Sequence, residues 1–487
     1  YEWVNGEAWA PGTAPETMPA TPAAQTIEPT NSQTAKLFTG EYNTPMNFGS
    51  VEKYDDGSLI VLTKDQTEAI SYLESEMLEQ SITSVPKTGD DFIDGLLEPN
   101  SLGTGSTKWG DADLSNTRIS FSFIDSDSKF DFIDYNWADG GKDVLDNPII
   151  ELTWSQKGYV RSALKEWSDV ANIEFVEVQE TGTDVGTIRF GGTSFTDDPD
   201  VVGWTWGGPE TSSYPSTADI WLTPATMNVG DWAPGTYEYQ TLIHEIGHAI
   251  GLGHPHDGYP FPGGYDLTKY TLMSYEQYSY DLYETSPMVY DIAAIQHLYG
   301  ANETTNSSNT IYKFDSGIGV SDVGPMLDTI WDSNGIDILD MGEILNSCDI
   351  NLNGGEYSKI GYSNWINDYD LGIAFGTVIE NVNGGKAADT IRGNEFSNQI
   401  DGGGGDDIIY GGDGSDIFVC SSGGGVDVIK DFNVSEDLVA FLEYGQTFTK
   451  NYSHSEDAQG HLVVSMLDGS GSLVLENVAI GTELIIA

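Results

Sequence analysis

Cysteine is nearly absent: Cys348 and Cys420 are the only two in 487 residues. Two thiols cannot build the disulfide framework of small secreted domains and allow at most one bridge. A chain working outside the cell then needs other staples. Basic residues are scarce too, with 19 Lys and Arg against 77 Asp and Glu and a formal net charge of −58. Such a surface repels phosphate backbones and anionic bilayers, which excludes nucleic acid and membrane surfaces as partners. Carboxylates in that excess also repel one another unless cations neutralise them, pointing to divalent metal or a salty medium. No apolar run approaches the roughly 18 residues of a membrane-spanning helix, so stable membrane insertion is not expected. The first residues, YEWVNGEAWAPGTAPE, lack the basic start and apolar stretch of a secretory signal. Either a signal has been removed or export does not use one.

The length calls for two to four folding units of about 100–200 residues. Residues 1–45 are rich in Ala, Pro, Thr and Glu, a composition that cannot bury enough apolar surface to fold alone. A short apolar strand (LIVL) and an amphipathic helix over 66–81 follow. The expected organisation is an extension over 1–86 and an α+β domain over 87–300, then an all-β parallel β-roll over 301–487. The middle domain reads as an alternating strand (TRISFSFI), a long amphipathic helix (QKGYVRSALKEWSDVANI) and then several strands, among them TIRFGG, VVGWTWGG and ADIWL. Strands that precede a second helix in this way indicate a sheet with helices packed on it.

The strongest motif is TLIHEIGHAIGLGHPH, residues 241–256. Four residues of helix turn through about 400°, so His244 and His248 project from one face and can bind one metal. Glu245 sits beside that pair. Gly251 can adopt positive φ and leave the helix sharply, which brings His254 back as a third ligand. Three neutral imidazoles leave a zinc position open to water, the pattern of a catalytic site. Zinc would lower the pKa of its water towards about 7, and Glu245 would act as general base in attack on a polarised carbonyl.

The whole string resembles the zinc motif of the metzincin peptidases, and LMSYEQY some 20 residues later resembles the Met-turn of serralysins. EWSDVANI, ADIWL and PMVYDIAAIQHLYGAN also stand in the serralysin order. The resemblance implies that Met273 lies beneath the zinc. It also implies that Tyr275 is an additional zinc ligand that swings away to hydrogen-bond the tetrahedral intermediate. Metzincin substrates lie antiparallel to an edge strand above the zinc helix, which makes Gly203, Trp204, Thr205 and Trp206 the substrate-binding candidates. His256 and His297 fall outside the motif and read as structural. Residues 1–86 lie outside the resemblance and contain no cysteine, so a cysteine switch cannot operate there.

Between 384 and 419 the chain repeats every nine residues, as GGKAADTIR, GNEFSNQID, GGGGDDIIY and GGDGSDIFV. That is the period of an RTX calcium-binding β-roll, in which glycine-rich turns supply carbonyls and the sixth position supplies a hard oxygen ligand. The calcium candidates are therefore Asp389, Asn398, Asp407 and Asp416. The inward residues are Ile391, Ile400, Ile408 with Ile409 adjacent, and Phe418 after Ile417. Ala387 stands where glycine is usual, and the second unit is degenerate. WDSNGID resembles the serralysin calcium site that joins the two domains, which adds Asp332 and Asp337. Asn306 and Ser308 replace that site's Arg and Gly. Aligned carboxylates should keep the roll unfolded until calcium fills it. The final GTELIIA, with Glu483, resembles the uncleaved signal of type I secretion.

These features together predict a secreted, monomeric zinc endopeptidase of serralysin type, stabilised by several Ca²⁺, acting on proteins or peptides with broad specificity. Its partners would be those substrates, with a protein inhibitor or its own N-terminal extension as a further ligand of the cleft. The competing class is a calcium-binding RTX adhesin or matrix protein with a vestigial metal site.

Overall fold

A computed structural model describes 2–4, 7–9, 48–53 and 59–63 of the first 80 residues. From 81 onward it describes all but 100–104, 115, 127, 129–147, 181–184, 195–200, 210–217, 231, 257–260, 279–282, 316–325, 362–368, 444–445, 448–451 and 487. The chain divides into two compact units, residues 1–76 and 77–487. In the first, Glu2–Val4 pairs antiparallel with Glu7–Trp9, and Phe48–Lys53 with Leu59–Thr63. The Ala- and Pro-rich start is thus not wholly a tail. The helix expected over 66–81 lies outside the described residues but for Ser81.

The second unit opens with β1 (Ile82–Pro86), paired antiparallel with β2 (Gly105–Trp109). The extension expected over 1–86 includes β1, and its ladder of main-chain hydrogen bonds joins it to the second unit. Between these two strands lies the short helix α1 (Asp91–Asp94), whose Asp90 cap accepts from the Phe92 amide. The central sheet contains β3 (Thr117–Phe123), β4 (Ile149–Ile150), β5 (Ile173–Glu177), β6 (Ile188–Thr193), β7 (Gly203–Trp206) and β8 (Ala218–Leu222), in the order β7-β8-β6-β3-β5 with β4 also on β6. β8, β6, β3 and β5 run parallel to one another, whereas β7 is antiparallel to β8 and β4 to β6. β6 and β8 are buried along their whole length, as interior parallel strands should be. Among the described strands β7 is the edge, with β8 beside it.

Helix α2 (Trp154–Val170) begins at a capping box between Thr153 and Gln156. It buries Val160, Ala163, Leu164, Trp167 and Val170, one face at three- and four-residue spacing. After the short α3 (Pro224–Met227) comes α4 (Tyr237–Ala249), which carries the metal motif, is buried at ten of its 13 residues and is capped by Thr236. Helix α5 (Val289–Tyr299) stops at Gly300, with φ +82°. Trp167 Nε1 donates to the Ile243 carbonyl at 3.1 Å and Trp109 Nε1 to that of Ala249 at 2.8 Å, so two buried indoles pin α4 in place.

Beyond α5 the chain winds into a parallel β-roll. Asn381–Asn383 pairs with Gln399–Asp401, which pairs with Ile417–Ser421. The interleaved Thr390–Arg392 pairs with Ile408–Tyr410, which pairs with Gly425–Ile429. Successive strands therefore alternate between two parallel sheets. Between the sheets lie Ile391, Ile400, Ile409 and Phe418; Ile408 points outward and is 39% exposed. The stacked turns leave no room for side chains: a Cβ on Gly403 would come 2.3 Å from the Gly385 carbonyl, and one on Gly412 2.3 Å from that of Asn394. Both glycines also have positive φ, +83° and +94°. Cys348 and Cys420 are buried and free, so the bridge the composition left open does not form. Trp331 and Ala374 of the roll pack into the hydrophobic core of the preceding α+β domain, which makes the two halves one unit.

Candidate metal centres

Helix α4 presents His244, Glu245 and His248, and the chain then breaks at Gly251, where φ is +111°. A Cβ there would lie 2.9 Å from the Thr107 carbonyl, so both conformation and space require glycine. The break brings His254 back: His248 Nε2 lies 3.1 Å from His244 Nε2 and 3.0 Å from His254 Nε2. Each helical histidine is fixed from behind. His244 Nδ1 donates to the Leu272 carbonyl at 2.8 Å, and His248 Nδ1 to that of Leu252 at 2.8 Å. With protons on both Nδ1 atoms, both Nε2 lone pairs face inward. Lone pairs so close repel unless a cation lies among them, and a tetrahedral zinc with bonds of about 2.0–2.1 Å spaces its nitrogens by about 3.3–3.4 Å. The donor set fits zinc. Burial lowers the pKa of His244 to about 4 against the pull of the Leu272 carbonyl, and it holds His248 well below the ordinary value, so both are neutral donors.

Glu245 is buried, and burial raises its pKa to about 7. The Thr205 hydroxyl from β7 opposes that shift; it lies 2.8 Å from both Glu245 Oε2 and the Glu245 carbonyl and orients the carboxylate. Beneath the helix, Met273 is fully buried, and a Cβ on Gly247 would come 2.7 Å from its sulfur. The glycine within HEIGH is therefore the space that Met273 fills. Tyr275 is 65% exposed, with its ring 4.4 Å from that of His254 and 5.8 Å from that of His244. His256 lies beside the site, its ring 5.1 Å from His254 and nearly parallel to it. His297 is remote, its Nε2 2.9 Å from the Pro86 carbonyl. Gly203, Trp204 and Thr205 line the cleft over the triad; Trp206 is not among its lining residues.

One residue of this centre escaped sequence reasoning. Asp291, fully buried at the start of α5, accepts from Thr271 Oγ1 at 2.6 Å and from the amides of Leu272 at 2.7 Å and Met288 at 2.9 Å. It holds the amide of Leu272, the residue whose carbonyl holds His244. Its signal in the sequence was an acid inside an otherwise apolar helix, VYDIAAI.

In the roll, carboxylates form a ladder. Asp389 Oδ1 accepts from the Cys348 amide at 2.7 Å, Asp407 Oδ1 from that of Asp389 at 2.8 Å, and Asp427 Oδ1 from that of Asp407 at 3.1 Å. On the other side Asp416 Oδ1 accepts from the Asn398 amide at 2.9 Å, and Asp437 Oδ1 from that of Asp416 at 3.0 Å. Asp427 and Asp437 continue the pattern past the last nonapeptide, where broken periodicity hid them. Burial raises the pKa of Asp389 to about 6 and of Asp416 to about 7, and it raises Asp407, which Asp389 also repels, and Asp427, which Asp407 repels. Asp407 Oδ2 is buried with no hydrogen-bond partner. An orphaned carboxylate oxygen among turn carbonyls fits a hard cation such as Ca²⁺. Asn398 differs: its Nδ2 donates to the Glu380 carbonyl at 3.0 Å and to Asn394 Oδ1 at 3.1 Å, so an amide supplies what a cation supplies elsewhere.

Asp332 and Asp337 also converge. Asp332 Oδ2 accepts from the Tyr312 hydroxyl at 2.6 Å, Asp337 Oδ1 from the Thr310 amide at 2.7 Å, and Glu380 Oε2 from the Asp337 amide at 2.7 Å. Asp337 Oδ2 is a second buried oxygen without a partner. Glu380 was not anticipated from the sequence. Asn306, at positive φ (+49°), donates to the Trp331 carbonyl at 3.1 Å.

Comparison with known proteins agrees with this geometry. Residues 151–300 match the Matrixin family and residues 383–418 match the RTX calcium-binding nonapeptide repeat in four copies. The chain is 34% identical to Metallopeptidase AprA of Pseudomonas marginalis, over 50% of this chain and 55% of that protein. It is 34% identical to Serralysin of Proteus mirabilis, over 52% and 57%. It is 31% identical to Serralysin of Photorhabdus laumondii, over 61% and 63%. The chain thus spans little more than half the length of the relatives it matches. It carries a matrixin peptidase domain, which implies catalytic zinc, followed by RTX repeats, which imply calcium. No helix among the described residues is long and apolar enough to cross a membrane.

Proposed function

We propose that this chain is a secreted, calcium-stabilised zinc endopeptidase that cleaves proteins or peptides with Glu245 as general base. The observation that carries the reading is the convergence of three Nε2 atoms within 4.8 Å of one another, beside a buried carboxylate held by Thr205. When bound, zinc supplies a Lewis acid for the scissile carbonyl and lowers the pKa of the attacking water. His244, His248 and His254 hold it, their orientation set by the backbone carbonyls behind them. Glu245 takes the proton from the water and returns it to the departing amine, with its Oε2 kept in line by Thr205. Tyr275, exposed and against two of the imidazoles, hydrogen-bonds the oxygen that gains negative charge. The outer edge of β7 pairs with the substrate backbone, which favours broad specificity.

In the roll, Asp389, Asp407, Asp416, Asp427 and Asp437 hold calcium at the turns, and Asp332, Asp337 and Glu380 hold it near the junction with the peptidase domain. The ladder's charge supports export unfolded and folding in external calcium. The test is casein hydrolysis with a metal assay. Glu245→Ala should retain zinc and fold but lose activity by about 10²–10⁴-fold. A variant as active as the parent overturns the reading.

A further inference from the structure

The cleft over the triad carries charge of one sign. Two carboxylates, Glu98 and Glu245, line it, with no lysine or arginine among the described lining residues. Glu245 is buried and committed to the reaction, whereas Glu98 is exposed. Main-chain pairing fixes where Glu98 stands. Leu97 bridges Leu252, the Glu98 amide donates to the Gly251 carbonyl at 3.2 Å, and the Gly253 amide to that of Leu96 at 2.8 Å. The segment thus runs antiparallel to the turn that delivers His254. The carboxylate rests on that turn: a Cβ built on Gly253 would come 2.6 Å from Glu98 Oε2.

The edge strand gives the cleft a direction. Thr205 of β7 stands over Glu245, and the chain continues through Gly207 and Gly208 to Pro209, whose Cγ is 3.3 Å from a Cβ built on Gly251. The carboxyl-terminal end of β7 therefore leads to the Glu98 side. A peptide pairing antiparallel to β7 lays the residues that precede its scissile bond in that direction.

We propose that Glu98 selects a lysine or arginine side chain on the amino-terminal side of the cleaved bond; this rests on the endopeptidase reading above. A carboxylate on the wall of the cleft attracts a cationic side chain and repels an acidic one, and both effects sharpen selection. Because Glu98 is exposed, the preference is about three- to fivefold and not the large factor of a closed pocket. The net charge of −58 draws cationic peptides too, but it acts on charge anywhere in the peptide. Glu98 acts on one side of the bond.

The test uses two quenched-fluorescence peptides of equal net charge, with a single lysine two residues before or two residues after one fixed scissile bond. The readouts are the ratio of their kcat/KM values and their relative binding to Glu245→Gln protein by fluorescence anisotropy. The parent should favour the first peptide about three- to fivefold, Glu98→Gln should bring the ratio near one, and Glu98→Lys should invert it. Glu395→Gln, which removes an exposed acid of the roll, should keep the parent ratio. An unchanged ratio in Glu98→Gln, or an equal loss in Glu395→Gln, overturns the proposal while zinc-dependent cleavage of both peptides sustains the peptidase reading. Cleavage of neither peptide by the parent overturns that reading and this one with it.

Discussion

The imidazole triad and the carboxylate ladder differ in what holds their donors before any cation arrives. His244 and His248 are neutral, backed by the carbonyls of Leu272 and Leu252, and mounted on a helix that two tryptophans pin from outside the site. Asp389, Asp407, Asp416 and Asp427 are buried acids whose pKa values burial has raised, and their neighbours in the ladder are further acids. The first site is paid for by the surrounding hydrophobic core. The second makes its own fold conditional on the ion. One chain thus contains a preorganised metal site and an ion-induced one.

The largest effect should come from taking calcium away. Chelation with EGTA at fixed zinc should unfold the roll, seen as loss of far-ultraviolet strand signal that added calcium restores, whereas removing zinc should leave the spectrum unchanged. Equal responses to the two metals would erase the contrast. Next in size, Glu245→Gln should cost about 10²–10⁴-fold in kcat with no change in melting temperature, because the amide still accepts from Thr205. Asp291→Asn should weaken zinc affinity by about 10–100-fold, measured by competition with a chromogenic chelator, since it loosens Leu272, whose carbonyl orients His244. A loss of fold without loss of affinity per folded molecule would make Asp291 merely structural.

The smallest effect is one of pH. In calcium-free protein Asp389 and Asp416 have pKa values raised to about 6 and 7, against about 3.9 for an unfolded chain. A raised carboxylate pKa contributes stability that is full below about pH 4 and is lost as pH rises through 6–7. The calcium-free roll, unfolded at pH 8, should therefore regain part of its strand signal as pH is lowered to 5. With calcium the order should reverse, because only the ionised carboxylates bind the ion. Strand signal in calcium-free protein that grows as pH rises would contradict the buried ladder.

The parts legible in the sequence were those written in short, fixed spacing. HExxH is set by helical rotation, Gly251 by the need for positive φ, and the sixth-position aspartates by the nine-residue period. The parts that were not legible depend on distant segments meeting. Asp291 and Glu380 act through main-chain amides about 19 and 43 residues away in sequence. Asp427 and Asp437 keep the ladder while losing the repeat, since the stacked strands set their register after the glycines are gone. Strand β1 fell within the expected extension because residues 1–86 lie outside the family resemblance, and its pairing with Gly105–Trp109 joins it to the second unit. Ile408 and Ile409 could not be told apart by hydrophobicity; the pleat buries the second.

Hydrogen exchange read by mass spectrometry on three samples, fully metalled, zinc-stripped and calcium-stripped, tests the contrast most directly. Zinc removal should change protection only around 244–256, and calcium removal should deprotect 384–443 as one cooperative block while α2 and α4 stay protected. Widespread deprotection of α4 on losing zinc, or a roll that stays protected without calcium, would contradict the account.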